Sequence, residues 1–149
     1  MKDLDGTASA VVAAPLERCQ TLLEAIDDYP EWYPDAVREV DVIERDANDR
    51  PTRARALLHL SHGPVNKDFD LVLAVVSDPP GTIRLTRLAD SGSSQFAVTW
   101  GLRDNGGGTR INLELSASMN VPRFIPVGGI GDAIARGFID AAKRKLDSP

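Results

Sequence analysis

From Val37 to Met119 apolar and polar residues alternate with a period of two, and clusters of Gly, Pro, Asn and Asp break the alternation at intervals. A period of two is the mark of strands with one buried and one solvated face. Val37 to Ala47 puts Val40 and Val42 on one side and Glu39 and Asp41 on the other. Asn48 to Pro51 is a turn, after which Arg53 to His62 sets Ala54, Ala56, Leu58 and Leu60 against Arg53, Arg55, Leu57 and His59. Asp68 to Ser77 directs Phe69, Leu71, Leu73 and Val75 inward, Asp78 to Gly81 turns the chain, and Ile83 to Leu88 follows. Gln95 to Arg103 aligns Phe96, Val98, Trp100 and Leu102. Asn105-Gly106-Gly107-Gly108 is a hairpin signal, and Arg110 to Met119 aligns Ile111, Leu113, Leu115 and Ala117. Short turns between such runs predict an antiparallel meander.

The ends of the chain read differently. Thr7 to Ala14 suits a first strand, and Pro15 stands where a helix tolerates proline, at its first position. Leu16, Cys19, Leu22, Leu23 and Ile26 recur at helical spacing, which predicts a helix to about Asp27. Tyr29-Pro30-Glu31-Trp32-Tyr33-Pro34 then stops it in a tight aromatic corner. Beyond Pro122 and Pro126, a last helix is predicted from about Val127 to Leu146, with Ile130, Ile134 and Phe138 in line and Ala133, Gly137 and Ala141 beside them.

The expected class is therefore α+β, a single domain over residues 1–149: strand, helix, corner, six strands, one long helix. A curved sheet needs cover on its apolar face, and only the last helix is long enough to give it. Its small residues allow two outcomes, a close helix approach or a void beneath the helix. The lining expected of such a void is Val42, Ala56, Leu58, Leu71, Leu73 and Leu85 from the first strands of the meander. Phe96, Val98, Trp100, Leu113 and Leu115 would add to it from the last two, and Ile130, Ile134 and Phe138 from the helix. Voids of ligand size are mostly apolar, with a few polar groups.

Composition removes several function classes. A formal net charge of -5 argues against binding the nucleic-acid backbone or an anionic lipid surface. Lys143-Arg144-Lys145 is the one dense basic run, and cations suit the end of a helix. Cys19 is the only cysteine, so no intrachain disulfide is possible. No apolar run nears the ~20 residues that cross a bilayer. The polar N-terminus carries no signal-peptide core, so the expected address is cytoplasmic.

Candidate chemistry is sparse. His59 and His62 are the only histidines, and with one cysteine and no tight His/Asp/Glu cluster neither a metal site nor a cofactor is expected. Arg87 is the one catalytic candidate. It shares the face of Ile83 and Leu85, and a buried guanidinium must be paired or bound to an anion. The competing reading ends the strand before Arg87 and leaves it solvated. Trp100 suits either pocket or core, Trp32 locks the corner, and Tyr29 and Tyr33 could supply a phenol or simply pack. Asp27/Asp28 and Asp68/Asp70 do not form a paired-carboxylate site. The stretch from Val127 to Gly131 lacks the Lys-Ser/Thr of a phosphate loop.

Val12-Ala13-Ala14-Pro15 leading into a helix, the Tyr29-Pro30-Glu31-Trp32 corner, Trp100 before a Gly-rich hairpin and Gly108-Thr109-Arg110 entering the last strand stand in a telling order. In that order the chain resembles the START-like, helix-grip (SRPBCC) superfamily. Its nearest likeness there is the polyketide cyclase/dehydrase group, which includes coenzyme Q-binding proteins and ribosome-association toxin-like proteins. The resemblance implies a curved seven-stranded antiparallel sheet wrapped around a long C-terminal helix, with short helices after strand 1 and a cavity for a lipid, quinone or polyketide-like molecule. Fold likeness does not select a reaction. Three functions are ranked accordingly. A carrier or sensor of an apolar small molecule, monomeric or weakly dimeric, comes first. A cyclase or dehydratase comes second, and a protein-interaction module third.

Overall fold

The alternating runs become one seven-stranded antiparallel sheet in a computed structural model, which describes residues 2–62, 65–78, 81–88, 95–119 and 129–147. The order along the chain is β1 (Lys2–Val12), α1 (Leu16–Glu24), a 3₁₀ turn (Ile26–Asp28), α2 (Tyr29–Trp32), β2 (Val37–Arg45), β3 (Pro51–His62), β4 (Val65–Asp78), β5 (Thr82–Arg87), β6 (Phe96–Asn105), β7 (Gly108–Met119) and α3 (Ile130–Leu146). In space the strands run β1-β7-β6-β5-β4-β3-β2, so the meander is closed by the first strand returning beside the last. This is the helix-grip arrangement expected from the sequence.

The inner face follows the alternation closely. Ala54, Ala56, Leu58, Leu60, Leu71, Leu73, Val75, Ile83 and Leu85 are buried, as are Phe96, Val98, Trp100, Leu102 and the Ile111–Ala117 series. Burying such side chains, at about 25 cal/mol per Å² of apolar surface, is the main force holding the sheet to its helices. Asn105 and Gly108 pair across a two-residue loop in which Gly106 (φ 62°) and Gly107 (φ 97°) are both left-handed. Two successive positive φ values are what a tight hairpin of the right twist requires, and glycine takes them without strain.

Several boundaries differ from the sequence reading, among them the start of β4 at Val65 and not at Asp68. Strand β1 begins at Lys2 and not at Thr7, because β7 supplies main-chain partners all the way from Thr109 to Met119. A backbone ladder does not need apolar side chains, so the polar start of the chain gave no sign of it. The first helix ends at Glu24, and the residues after it are still coiled, as a 3₁₀ turn and the single α-helical turn α2. Pro30 is accommodated in that turn's first positions, where its missing N–H costs nothing. Helix α3 starts at Ile130, behind the left-handed Gly129 (φ 81°); Val127 and Gly128 lie outside the described residues.

Helix α3 lies along β1, and the two backbones meet at Gly6 and Gly131. A Cβ on Gly6 would overlap the main chain of Gly131 and Asp132, and one on Gly131 would overlap that of Asp5. At the other end of the helix the Arg18 guanidinium donates to the carbonyl of Leu146 (3.1 Å), one of the carbonyls a helix end leaves unpaired. Helix α1 is fastened to β4 by a polar group: Gln20 donates to Ser77 (2.9 Å), and Ser77 donates to Glu24 (2.5 Å). The free edge, β2, is interrupted by register shifts and carries Arg38, Glu39, Asp41 and Glu44 exposed, features that discourage pairing with another chain.

Candidate ligand-binding site

Where β6 and β5 cross beneath α3 and the corner, the core leaves an apolar void of about 20 Å³. The sheet contributes Ala56, Leu58, Leu73, Leu85, Phe96, Val98 and Trp100, and α3 contributes Phe138. All eight belong to the lining expected from the sequence. Ile26, Tyr29 and Val37 complete the wall. Those three were not anticipated, although Ile26 closes the apolar series of the first helix and Tyr29 opens the corner. The remaining expected residues lie elsewhere. Leu71, Leu113, Leu115 and Ile130 are buried in the core without lining the void. Val42, on edge strand β2, is only half-buried.

A volume of 20 Å³ admits about one water-sized sphere, far below the ~300–1,000 Å³ of typical ligand sites. A second, open space lies next to it. Strand β2 starts at Val37, opposite Leu58, so Leu60 and Ser61 run on past its end. The resulting cleft of about 420 Å³ is bounded by Tyr33, Asp35, Ala36 and Arg38, by His59, Leu60 and Ser61, and by Ala133, Ile134 and Gly137 of α3. The His59 main-chain N–H donates to the carbonyl of Ala36 (2.7 Å) and so fixes the floor of the cleft.

Tyr33 and Phe138 stand between the two spaces. Their rings meet edge to face with centroids 4.9 Å apart, Tyr33 facing the cleft and Phe138 the void. Trp32 stacks over Tyr33 at 6.3 Å and touches Tyr29 at 4.7 Å. The Tyr33 hydroxyl lies over Gly137, where a Cβ would collide with it. The small face of α3 therefore serves close approach: Gly137 accommodates a tyrosine and Gly131 a strand.

Both phenols are neutral near pH 7. Burial pushes the Tyr29 hydroxyl far above its ordinary value. Burial first, and then the charge of Asp35, pushes Tyr33 up as well. Tyr29 donates to the carbonyl of Leu23 (2.6 Å). The indole N–H of Trp100 faces that phenol oxygen without reaching hydrogen-bond geometry, and the indole N–H of Trp32 is also buried without a partner among the described residues. Burial raises the thiol of Cys19, which leaves it a poor nucleophile.

Other candidates fall outside the interior. His59 is on the outer face as expected; its Nδ1 meets Asp68 Oδ1 at 2.5 Å, and the Asp68 carboxylate is largely in water. The side chain of His62 lies outside the described residues. Asp70 is held by Arg55, again on the outer face. Arg87 ends β5 on the side of Ile83 and Leu85, opposite Leu73, and is half-buried. The strand thus reaches Arg87, contrary to the reading that solvates it. Among the described residues no group of three His, Cys, Asp or Glu side chains could hold a metal, and no helix is long and apolar enough to cross a membrane.

Comparison with solved structures gives the same fold throughout. A START superfamily protein from Mycobacterium smegmatis superposes with a TM-score of 0.79 at 16% identity, covering 96% of this chain and 97% of that one. The Zhui aromatase/cyclase from Streptomyces sp. R1128 superposes at 0.68 and 12% identity, covering 98% and 94%. The di-domain aromatase/cyclase StfQ from the steffimycin biosynthetic pathway gives 0.71 at 16% identity, with this chain spanning 51% of its length. A search of curated proteins finds no match. Residues 4–148 match the family described as polyketide cyclase/dehydrase and lipid transport, nearly the whole chain, and the protein belongs to that family.

Proposed function

We propose that this protein binds an apolar small molecule, lipid-, quinone- or polyketide-like, between the concave face of its sheet and α3. The observation that carries the reading is the void walled by Phe96, Val98, Trp100 and Phe138, an apolar gap in an otherwise close-packed core. Its present size requires the ligand to displace side chains, and Phe138 and Tyr33 are the ones that separate it from the open cleft. Native mass spectrometry of the purified protein, with solvent extraction of whatever it carries, tests the reading. A stoichiometric apolar mass supports it. A bare chain that also fails to take up N-phenyl-1-naphthylamine, a neutral apolar fluorophore, sinks it.

A cyclase or dehydratase is the second reading, favoured by the half-buried Arg87 on the inner side of β5. Aromatase/cyclases are among the fold neighbours, at identities that speak for fold alone. A guanidinium beside an apolar site would stabilise a developing enolate. Arg87→Ala should then abolish turnover of a bound substrate while leaving its binding intact; unchanged turnover removes Arg87 from any mechanism.

A further inference from the structure

We infer that the cleft beside the void is the head subsite of the same ligand, and that it takes a neutral oxygen-bearing group, a carbonyl or hydroxyl, on an otherwise apolar molecule. The inference rests on the proposed binding function and adds where the polar end of the ligand sits.

Charge and hydrogen-bonding capacity both point to that class. The cleft rim bears one anion, Asp35, and one cation, Arg38, so it offers no net charge to a fully ionised head. His59 borders it through its main chain, while its imidazole is on the outer face of β3, where Nδ1 meets Asp68. Within the cleft the neutral polar side-chain group left to interact is a single hydroxyl. The Tyr33 phenol is kept protonated by burial and by the neighbouring Asp35 carboxylate, and it makes no hydrogen bond among the described residues. A hydroxyl donates and accepts, which suits a carbonyl or an alcohol. Behind it the lining turns apolar, through Ala36, Leu60 and Ile134 to Phe138 and the void.

Tyr33 is also the partition. Rotating its ring off Gly137 joins cleft and void into one space inside the ~300–1,000 Å³ range of ligand sites. The same residue that opens the interior is then left beside the ligand's polar end, free to donate to it.

The test compares two neutral naphthalene probes: Prodan, which carries a ketone, and N-phenyl-1-naphthylamine, which has no oxygen. Tyr33→Phe keeps the ring and removes the hydroxyl. It should weaken Prodan about fivefold, the worth of one net hydrogen bond, and shift the bound Prodan emission to the blue. N-phenyl-1-naphthylamine should bind the variant as it binds the parent. Circular dichroism melts establish that the variant folds. Equal binding of Prodan by parent and variant, or equal weakening of both probes, overturns the head subsite while leaving apolar binding in place. Failure of both probes on the parent protein overturns the binding function itself, and the subsite with it.

Discussion

The carboxylate of Asp132, in the first turn of α3, accepts a hydrogen bond from the main-chain N–H of Thr7 at 2.9 Å. It begins a series. Arg136 donates to the carbonyl of Ser9 (3.3 Å), Lys143 donates to that of Val11 (3.0 Å), and Asp147 accepts from the N–H of Ala13 (3.1 Å). Acids meet the N–H groups and bases meet the carbonyls, so α3 supplies with side chains what an eighth strand would supply with backbone. An uncovered edge is a template for aggregation, and here the helix covers it. Asp132→Ala should lower stability by about 1 kcal/mol, one net hydrogen bond plus a favourable charge at a helix start. Urea unfolding measures it, and a loss below a few tenths would mean the edge contact contributes nothing.

The crossing of β1 and α3 depends on two glycines meeting backbone to backbone. Gly131→Ala sets a methyl against the main chain of Asp5, which cannot yield without moving the strand. A destabilisation of about 2–3 kcal/mol is expected, typical of overpacking. Gly137→Ala is the control, since its methyl meets only the hydroxyl end of the Tyr33 side chain, which can swing aside. The two melting temperatures should differ clearly; equal effects would show that the helix simply shifts outward at both places.

Why some of this was legible in sequence and some was not follows from what alternation reports. A run such as Ile111, Leu113, Leu115 and Ala117 declares its face because burial sorts side chains, and all four are buried. Lys2 to Gly6 declares nothing, because its strand is held by main-chain pairing to β7 and by the helix edge contacts. Most of the wall of the void is likewise sheet, and Phe96, Val98 and Trp100 were readable from their period. Tyr33 was not assignable: its role comes from meeting Phe138 and Gly137, more than a hundred residues away, and no local pattern encodes that. Pocket and core also use the same residue types, so Leu113 and Leu115 could not be told apart from Val98 before the helix was in place.

Enlarging the void should trade stability for uptake. Phe138 is buried and lines the void, so Phe138→Ala removes a ring from its wall and one face of the partition. Truncations of this kind cost about 3–5 kcal/mol when the site cannot collapse. N-phenyl-1-naphthylamine should bind the variant more tightly than the parent, and saturating probe should recover part of the lost stability. A destabilised variant with unchanged probe affinity would mean that the core closes over the gap, and that this void is not the route for ligand.

Acid should loosen the end of α3 before it affects the hydrophobic core. The Asp147 carboxyl is held below its ordinary value of 3.8, first by the Lys143 ammonium and then by the N–H of Ala13. A carboxyl depressed in the folded state stabilises the fold above its unfolded value, and that contribution fades as the pH falls through the folded one. The group is largely exposed, so the contribution is under about 1 kcal/mol. Asp147→Asn should therefore be less stable than the parent at pH 7, with the gap narrowing below about pH 4. Urea midpoints for both proteins from pH 3 to pH 7 measure it; a difference that stays constant across that range would assign the effect to packing and not to charge.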